Sequence, residues 1–285
     1  MSIFNDLAHG RLSRIIPDKM YINIMYYYHF RKFPDLDNPE SYNEKLQWLK
    51  LHDRKDIYTT MVDKIAVKDY IASKIGKKYV VPIYAAWDNA KSINLDELPN
   101  EFILKCNHDS QSKIICFDKN NFDIEYARKQ LKNSLKRNGF WYGREWPYKN
   151  VKPQIFAEKL LKEPDGDLKD YKVLCFNGEP KLIETVTEKY TNGEKQTFYD
   201  VNWQKTDFAQ IGWPMSNVNV DKPDNLDEMI GLSKILAQGL RHIRVDWYNF
   251  NHRLYFGELT FFDGSGFVKF EKQEDDILWG SWIKL

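Results

Sequence analysis

Cysteine, long apolar runs and excess charge of either sign are all scarce in this chain. The three cysteines among its 285 residues, Cys106, Cys116 and Cys175, are odd in number, far apart and form no CxxC pair. That argues against a disulfide scaffold and a cysteine zinc site, and it suits a reducing, cytoplasmic compartment. No apolar run approaches the ~20 residues of a membrane span, so no transmembrane segment is expected. The N-terminus also lacks the charged-then-apolar pattern of a signal peptide. A formal charge of +1 with no basic stripe leaves no footprint for a polyanion, and no nucleic-acid partner is expected. The phosphate-loop pattern GxxxxGK[ST] is absent, as are internal repeats and low-complexity segments. The stretch 20–30 is the densest in aromatics but is interrupted by Asn23 and His29. It reads as a buried amphipathic helix, and peripheral contact is the only membrane association it leaves open.

The length is enough for a sizeable core in one or two domains. Aromatics at 15% suit stacking or sugar-facing surfaces and core packing alike. Residues 1–60 read as helical. Asp18 is a candidate cap, and Pro34 and Pro39 bracket a loop. Ser41 and Glu44 form a capping box that opens a helix to about His52, with Leu46, Leu49 and Trp48 inward. A further helix is expected over 59–73, stopped by Gly76. Strands follow at 79–86, 101–107, 113–117 and 154–161. A hairpin of 171–176 and 180–187 turns at Asn177-Gly178, and two short strands are expected within 191–208. Helices are expected over 123–137 and 226–240, the second with Leu226, Met229, Ile230, Ser233, Ile235 and Leu236 inward. Loops are expected at 140–153 and 212–224, and a packed aromatic tail at 277–285. The fold class is α+β, dominated by antiparallel hairpins after residue 100.

The stretch with the most chemistry is 244–266, RVDWYNFNHRLYFGELTFFDGSG. Side chains alternate along a strand, so Arg244 and Asp246 share one face and Ile243, Val245 and Trp247 the other. Folding this strand onto 254–262 about residue 252 sets Asp246 opposite Glu258 and Arg244 opposite Thr260. Two opposed carboxylates repel and call for a cation between them. A hard divalent ion with oxygen ligands fits, with Arg244 beside it to hold an anionic oxygen bidentately. Gly264-Ser265-Gly266 then follows as a loop whose backbone can approach an anion. A half-exposed hairpin with a surface Arg–Asp pair satisfies the same spacing.

Lys105 lies on the polar face of 101–107, away from Phe102, Leu104 and Cys106, and precedes the polar loop 108–112 and a return strand. That geometry can fold over phosphates, or it can leave Lys105 as a solvated edge residue. Glu158, Lys172 and Glu184 occupy further polar strand positions. Together with Arg244, Asp246 and Glu258 they make up the parts of a site for MgATP held between two sheets.

The order of these residues resembles the ATP-grasp superfamily, and most closely the TupA-like (teichuronopeptide-biosynthesis-type) ATP-grasp amidoligases of bacterial surface-polysaccharide clusters. The phrases that carry it are NEKLQWLKLHDR (43–54), VDKIAVKDYI (62–71), FILKCNHDS (102–110), DYKVLCFNGEPKLIE (170–184) and RVDWYNFNHRLYFGELTFFDGSGF (244–267), spread over nearly the whole chain. The resemblance implies an ATP-grasp fold of two α+β subdomains sandwiching ATP, over 61–285, with subdomains at about 100–160 and 161–285 after a helical segment 1–60. It implies Lys105 on nucleotide phosphates and Ser110 and Ser112 in a phosphate-covering loop. Glu158, Lys159, Leu160 and Leu161 match the adenine hinge, and Lys172 and Glu184 the nucleotide site, with Glu184 on ribose. Asp246 and Glu258 match the Mg²⁺ ligands, and Arg244 the residue that steadies an acyl phosphate, with Gly264, Ser265 and Gly266 beside it. Family members often have glycines in the loop where this chain has Asp109 and Gln111. Many ATP-grasp ligases have Asn two residues after the second metal Glu, where this chain has Thr260. No catalytic base is assigned. The implied reaction joins a small-molecule or sugar-linked carboxylate to an amine donor, with ATP and Mg²⁺ as cofactors. Alternatives are a glycosyltransferase, whose metal-binding DxD is matched only in letters by Asp165-Gly166-Asp167, an ATP-grasp kinase, and a non-catalytic nucleotide-binding protein.

Overall fold

The structure, a computed structural model, describes residues 11–110, 112–162, 169–187, 194–216 and 219–285. Its helices are α1 (Asp18–Phe30), α2 (Tyr42–His52), α3 (Ile57–Val62), α4 (Val67–Ile75), α5 (Ile124–Ser134), α6 (Gly139–Gly143), α7 (Leu226–Ala237) and α8 (Gln273–Ser281). Its strands are β1 (Ile83–Trp87), β2 (Phe102–Cys106), β3 (Ile114–Cys116), β4 (Ile155–Glu158), β5 (Lys169–Phe176), β6 (Glu179–Thr187), β7 (Lys195–Asp200), β8 (His242–Phe250) and β9 (Arg253–Thr260). The chain divides into two compact units. Unit 1 is Met1–Ser13 with Lys55–Pro164, and unit 2 is Arg14–Arg54 with Asp165–Leu285. The helical segment expected over 1–60 is therefore shared between them, with α1 and α2 belonging to the C-terminal unit.

Unit 1 is built on a four-stranded sheet of order β1-β4-β2-β3, all antiparallel. Phe102, Leu104 and Cys106 face a core completed by Ala127 and Leu131 of α5 and by Ile155 and Ala157 of β4. This is the apolar face read from the alternation in 101–107. The helix expected over 59–73 is broken in two. Asp63 Oδ1 accepts from the N–H groups of Ile65 (2.9 Å) and Ala66 (3.2 Å), and the Lys64 N–H goes to the Asn107 carbonyl. A side chain that caps its own following backbone competes with helix continuation. The strand expected at 79–86 starts later because 77–79 form a 3-10 turn. The loop expected at 140–153 contains α6 and a further 3-10 turn, Trp146–Tyr148.

Unit 2 carries a five-stranded antiparallel sheet of order β7-β6-β5-β8-β9. One face packs on α7, where the indole of buried Trp247 donates to Ser233 Oγ at 2.8 Å. Ile235 of that helix points outward, 48% exposed, unlike the inward position expected. At one end of the other face, His242 and Trp279 each meet both Tyr42 and Phe176 edge-on. The capping box of α2 is formed by Ser41 and Glu44, whereas α1 is preceded by Pro17 and has no side-chain cap. Asp18 instead pairs with Arg54 at 2.9 Å. Asn177 and Gly178 both have positive φ, 49° and 83°, which makes the tight turn between β5 and β6. A single strand, β7, is found where two were expected within 191–208, and Asn192-Gly193 lies outside the described residues.

Candidate active site

The ionisable groups of unit 2 are aligned by strand register. Glu184 pairs with Lys172, Lys172 with Asp246, and Asp246 with Glu258. One row across β6, β5, β8 and β9 thus reads Glu–Lys–Asp–Glu, with Arg244 one row along, opposite Thr260. The route to the Asp246–Glu258 pairing differs from a simple fold about residue 252. Asn251 and His252 both have positive φ (49° and 57°) and form a two-residue turn between Phe250 and Arg253. Continued regularly, that turn would set Asp246 opposite Gly257 and send Glu258 to the far face. A bulge between Asp246 and Trp247 adds one residue on β9 and restores the pair. Gly257 sits in this bulge, where a Cβ would lie 3.1 Å from the Asp246 carbonyl oxygen and 3.3 Å from the Tyr248 ring.

Arg244 holds the face together. It grips Asp246 with two parallel bonds, Nε to Oδ1 and Nη2 to Oδ2, both 2.8 Å. Its Nη1 donates to Asp263, and its Nη2 lies 3.5 Å from Glu258 Oε1. Lys172 Nζ donates to Glu184 Oε1 at 2.8 Å. Burial raises the Asp246 carboxyl, Arg244 pulls it back and Glu258 pushes it up again, leaving it at about 6. Burial also works against ionisation of Glu184, but Lys172 and Arg244 outweigh it and hold that carboxyl below its usual range.

With all groups ionised, four carboxylates (Asp246, Glu258, Asp263, Glu184) face two cations (Arg244, Lys172), an excess of two negative charges. A divalent cation on Asp246 and Glu258 would balance that excess, and oxygen donors suit Mg²⁺. No cluster of three or more His, Cys, Asp or Glu side chains poised for a metal occurs among the described residues. Such an ion would therefore be completed by substrate and water, the usual habit of Mg²⁺.

The Gly264–Gly266 loop has left-handed backbone at all three residues, φ 51°, 55° and 64°. The Ser265 N–H donates to the Phe262 carbonyl at 2.9 Å. Buried Lys50 of α2 donates to the Ser265 carbonyl (2.7 Å) and hydroxyl (3.1 Å). Gln47 donates to the Gly266 carbonyl at 2.7 Å. The polar stripe Asn43, Gln47 and Lys50, at i, i+4 and i+7, is what α2 buries against this segment.

In unit 1, Lys105 projects from β2 to Glu158 at the end of β4, and Lys68 of α4 reaches the other oxygen of the same carboxylate at 2.9 Å. Burial disfavours the Glu158 charge, yet Lys105 and Lys68 together hold its carboxyl below the usual range. Burial lowers Lys68, with Glu158 opposing. Two lysines on one carboxylate leave a net positive charge. The Lys159 N–H, one of the expected hinge donors, goes to the Pro82 carbonyl at 2.9 Å. Leu160 and Leu161 follow, Leu161 buried. The loop after β2 is closed by its own side chains. Ser112 Oγ accepts from the Cys106 N–H at 2.7 Å and donates to Asp109, which also accepts the Ser112 N–H at 3.1 Å. Ser110 is exposed at the tip of this loop, and Gln111 lies outside the described residues, as does Asp165-Gly166-Asp167.

Sequence reasoning missed Lys68, Lys50 and Asp263. Lys68 and Lys50 lie inside the phrases 62–71 and 43–54, and Asp263 directly precedes the Gly-Ser-Gly loop, but period and spacing give no sign of their partners.

Among solved structures, the chain is similar to D-alanine–D-alanine ligase from Helicobacter pylori (14% identity, 86% of this chain and 70% of that one, TM-score 0.45). It is similar also to the Bacillus anthracis D-alanine–D-alanine ligase complexed with ATP (16%, 70% and 55%, 0.39). A third is the ATP-grasp ligase PsnB complexed with a variant of its minimal precursor, Mg and ADP (11%, 77% and 57%, 0.42). The chain spans little more than half the length of the Bacillus anthracis ligase and PsnB structures. No curated protein matches it. No helix among the described residues is long and apolar enough to cross a membrane. The family model described as TupA-like ATP-grasp matches residues 44–284, a range that takes in every candidate residue above, and this chain belongs to the TupA-like ATP-grasp family.

Proposed function

We propose that this protein is an ATP-dependent carboxylate–amine ligase that forms an amide through an acyl phosphate. The observation that carries the reading is the row Glu184–Lys172–Asp246–Glu258 with Arg244 beside it, six charged groups with Asp263 held on one sheet face. Buried charges that do not balance are costly to keep, and such clusters concentrate at functional sites. In this reading Lys105 and Lys68 take nucleotide phosphates, backbone groups near Leu160 and Leu161 read the adenine edge, and Glu184 takes the ribose with Lys172 orienting it. Mg²⁺, when bound at Asp246 and Glu258, would supply electrostatic stabilisation to the phosphoryl group. Arg244, with five donors in a rigid fork, would hold the carboxylate and then the acyl-phosphate oxygens while the amine attacks. Ser265 has spent its N–H within the loop, so its part is to shape the Gly264–Gly266 backbone. The family resemblance favours a uronic acid or sugar-linked acid of surface polysaccharide as the carboxylate, and a cytoplasmic site of action. The test is an assay of a panel of uronic acids and amines for ADP and phosphate release, with ¹⁸O-labelled carboxylate. Label in the released phosphate is expected, and AMP with pyrophosphate, or unlabelled phosphate, refutes the mechanism.

A further inference from the structure

A cleft of about 420 Å³ opens in unit 2 at the C-terminal end of α1, lined by His29, Arg31, Lys32 and Lys269 over an apolar floor that includes Phe30 and Phe270. The backbone sets the cations here. Arg31 takes a left-handed conformation, φ 58°, with its N–H on the Tyr27 carbonyl at 2.9 Å. The chain therefore leaves the helix at once and carries Arg31 and Lys32 to the rim. Lys269 is held from both sides, because the Val268 N–H donates to Asn43 Oδ1 (2.9 Å) and the Lys269 carbonyl accepts from the Ile211 N–H (2.7 Å).

Arg31, Lys32 and Lys269 form no ion pair among the described residues. The acid of the cleft, Asp276, is turned inward and accepts from the Asn43 N–H at 3.1 Å and its amide at 2.9 Å. Asp276 interacts electrostatically with Lys32, so three cations share the cleft with one acid, and the positive charge left over favours an anion. His29 stacks on Phe267 with centroids 4.5 Å apart and planes at 15°. Phe267 directly follows the Gly264–Gly266 loop, so the cleft borders the loop beside Arg244. Burial, with Lys269 and Lys50 adding to it, depresses the His29 imidazole, which fits a positive local field.

We propose that this cleft is an anion subsite that takes the pyrophosphate of a pyrophosphate-linked sugar, the acid-bearing substrate of the reaction. Three cations suit a group with two or more charges better than a single carboxylate, and the aromatic floor suits the apolar face of a sugar ring. The role as a substrate site rests on the ligase reading, whereas anion binding itself does not.

The test is calorimetry on the full chain with UDP-glucuronate and with inorganic pyrophosphate, each with and without saturating MgATP. The wild type should bind both, more weakly as salt rises. Lys32→Glu with Lys269→Glu should lose roughly tenfold or more in affinity for each, and the neutral pair Lys32→Gln with Lys269→Gln should fall between. Melting temperature and ATP affinity should stay unchanged in both variants. Binding that is absent in the wild type, unchanged in the charge-reversed variant, or abolished by MgATP overturns the subsite. Vesicles carrying a lipid-linked pyrophosphate sugar replace UDP-glucuronate in a parallel arm to separate a lipid-borne from a soluble source. Failure of the wild type to bind ATP would refute the ligase reading and leave the pyrophosphate result standing.

Discussion

Lowering the pH should destabilise this fold through His242 in a measurable amount. The ring is buried, with Nδ1 3.0 Å from the Phe261 carbonyl and Nε2 3.2 Å from the Tyr42 hydroxyl. A carbonyl only accepts, so Nδ1 carries the proton and Nε2 accepts from Tyr42. Burial drives the imidazole from 6.5 down to about 4, against smaller opposing contributions from the Phe261 carbonyl and Asp263, while Arg244 adds to the depression. The folded-state value lies below the unfolded one. Between them the unfolded chain binds a proton that the native chain refuses, so stability is full above the unfolded value and is lost as pH falls towards the folded one. Linkage gives a loss of about 2 kcal/mol between pH 7 and pH 4.5 from this residue alone. Urea unfolding of the wild type and His242→Gln at both pH values isolates it, since other titrating groups cancel in the double difference. The wild type should lose about 2 kcal/mol more than the variant over that interval. Equal losses would show that the ring is not held neutral by its burial.

Four further outcomes are expected. Arg244→Ala should lower kcat by on the order of 10²–10³, in line with removal of one preorganised donor, and Asp246→Asn or Glu258→Gln should abolish turnover with the circular dichroism spectrum kept; wild-type activity across Mg²⁺ concentrations in both carboxylate variants would remove them from the site. Lys105→Met should weaken ATP binding by roughly 1.5–3 kcal/mol, and an unchanged affinity by calorimetry would take Lys105 off the phosphates. Gly257→Ala brings a methyl within 3.1 Å of a backbone oxygen and should cost about 1–3 kcal/mol of stability; a neutral effect in denaturant would mean the bulge gives way freely.

The hairpin chemistry was legible because period-two alternation and a short turn leave little freedom. The shared face of Arg244 and Asp246 follows from their spacing alone, whereas Lys172 meets Glu184 only because a register shift between Leu174 and Cys175 adds one residue on β6 to the pairing that the Asn177-Gly178 turn sets. Helix ends were less legible. The reading of 59–73 as one helix failed because Asp63 caps the backbone of its own neighbours, a local competition that apolar periodicity does not register. The Glu158 carboxylate also has a job that its strand position did not disclose, since it serves two lysines.

The sequence by itself determined most of the strands, the ATP-grasp order of polar positions and the shared face of Arg244 and Asp246, because each depends on residues close along the chain; the Asp246–Glu258 pair is as read, but the bulge at Gly257 rather than the turn sets it. Tertiary structure alone decided which cations meet which acceptors. Lys68 reaches Glu158 across 90 residues, Tyr42 meets His242 across 200, and Lys50 supports Ser265 across 215. It also set the cleft cations Arg31, Lys32 and Lys269 together from opposite ends of the chain. Such pairs are chosen by how helices pack on a sheet, and the spacing of residues along the chain holds no record of that choice.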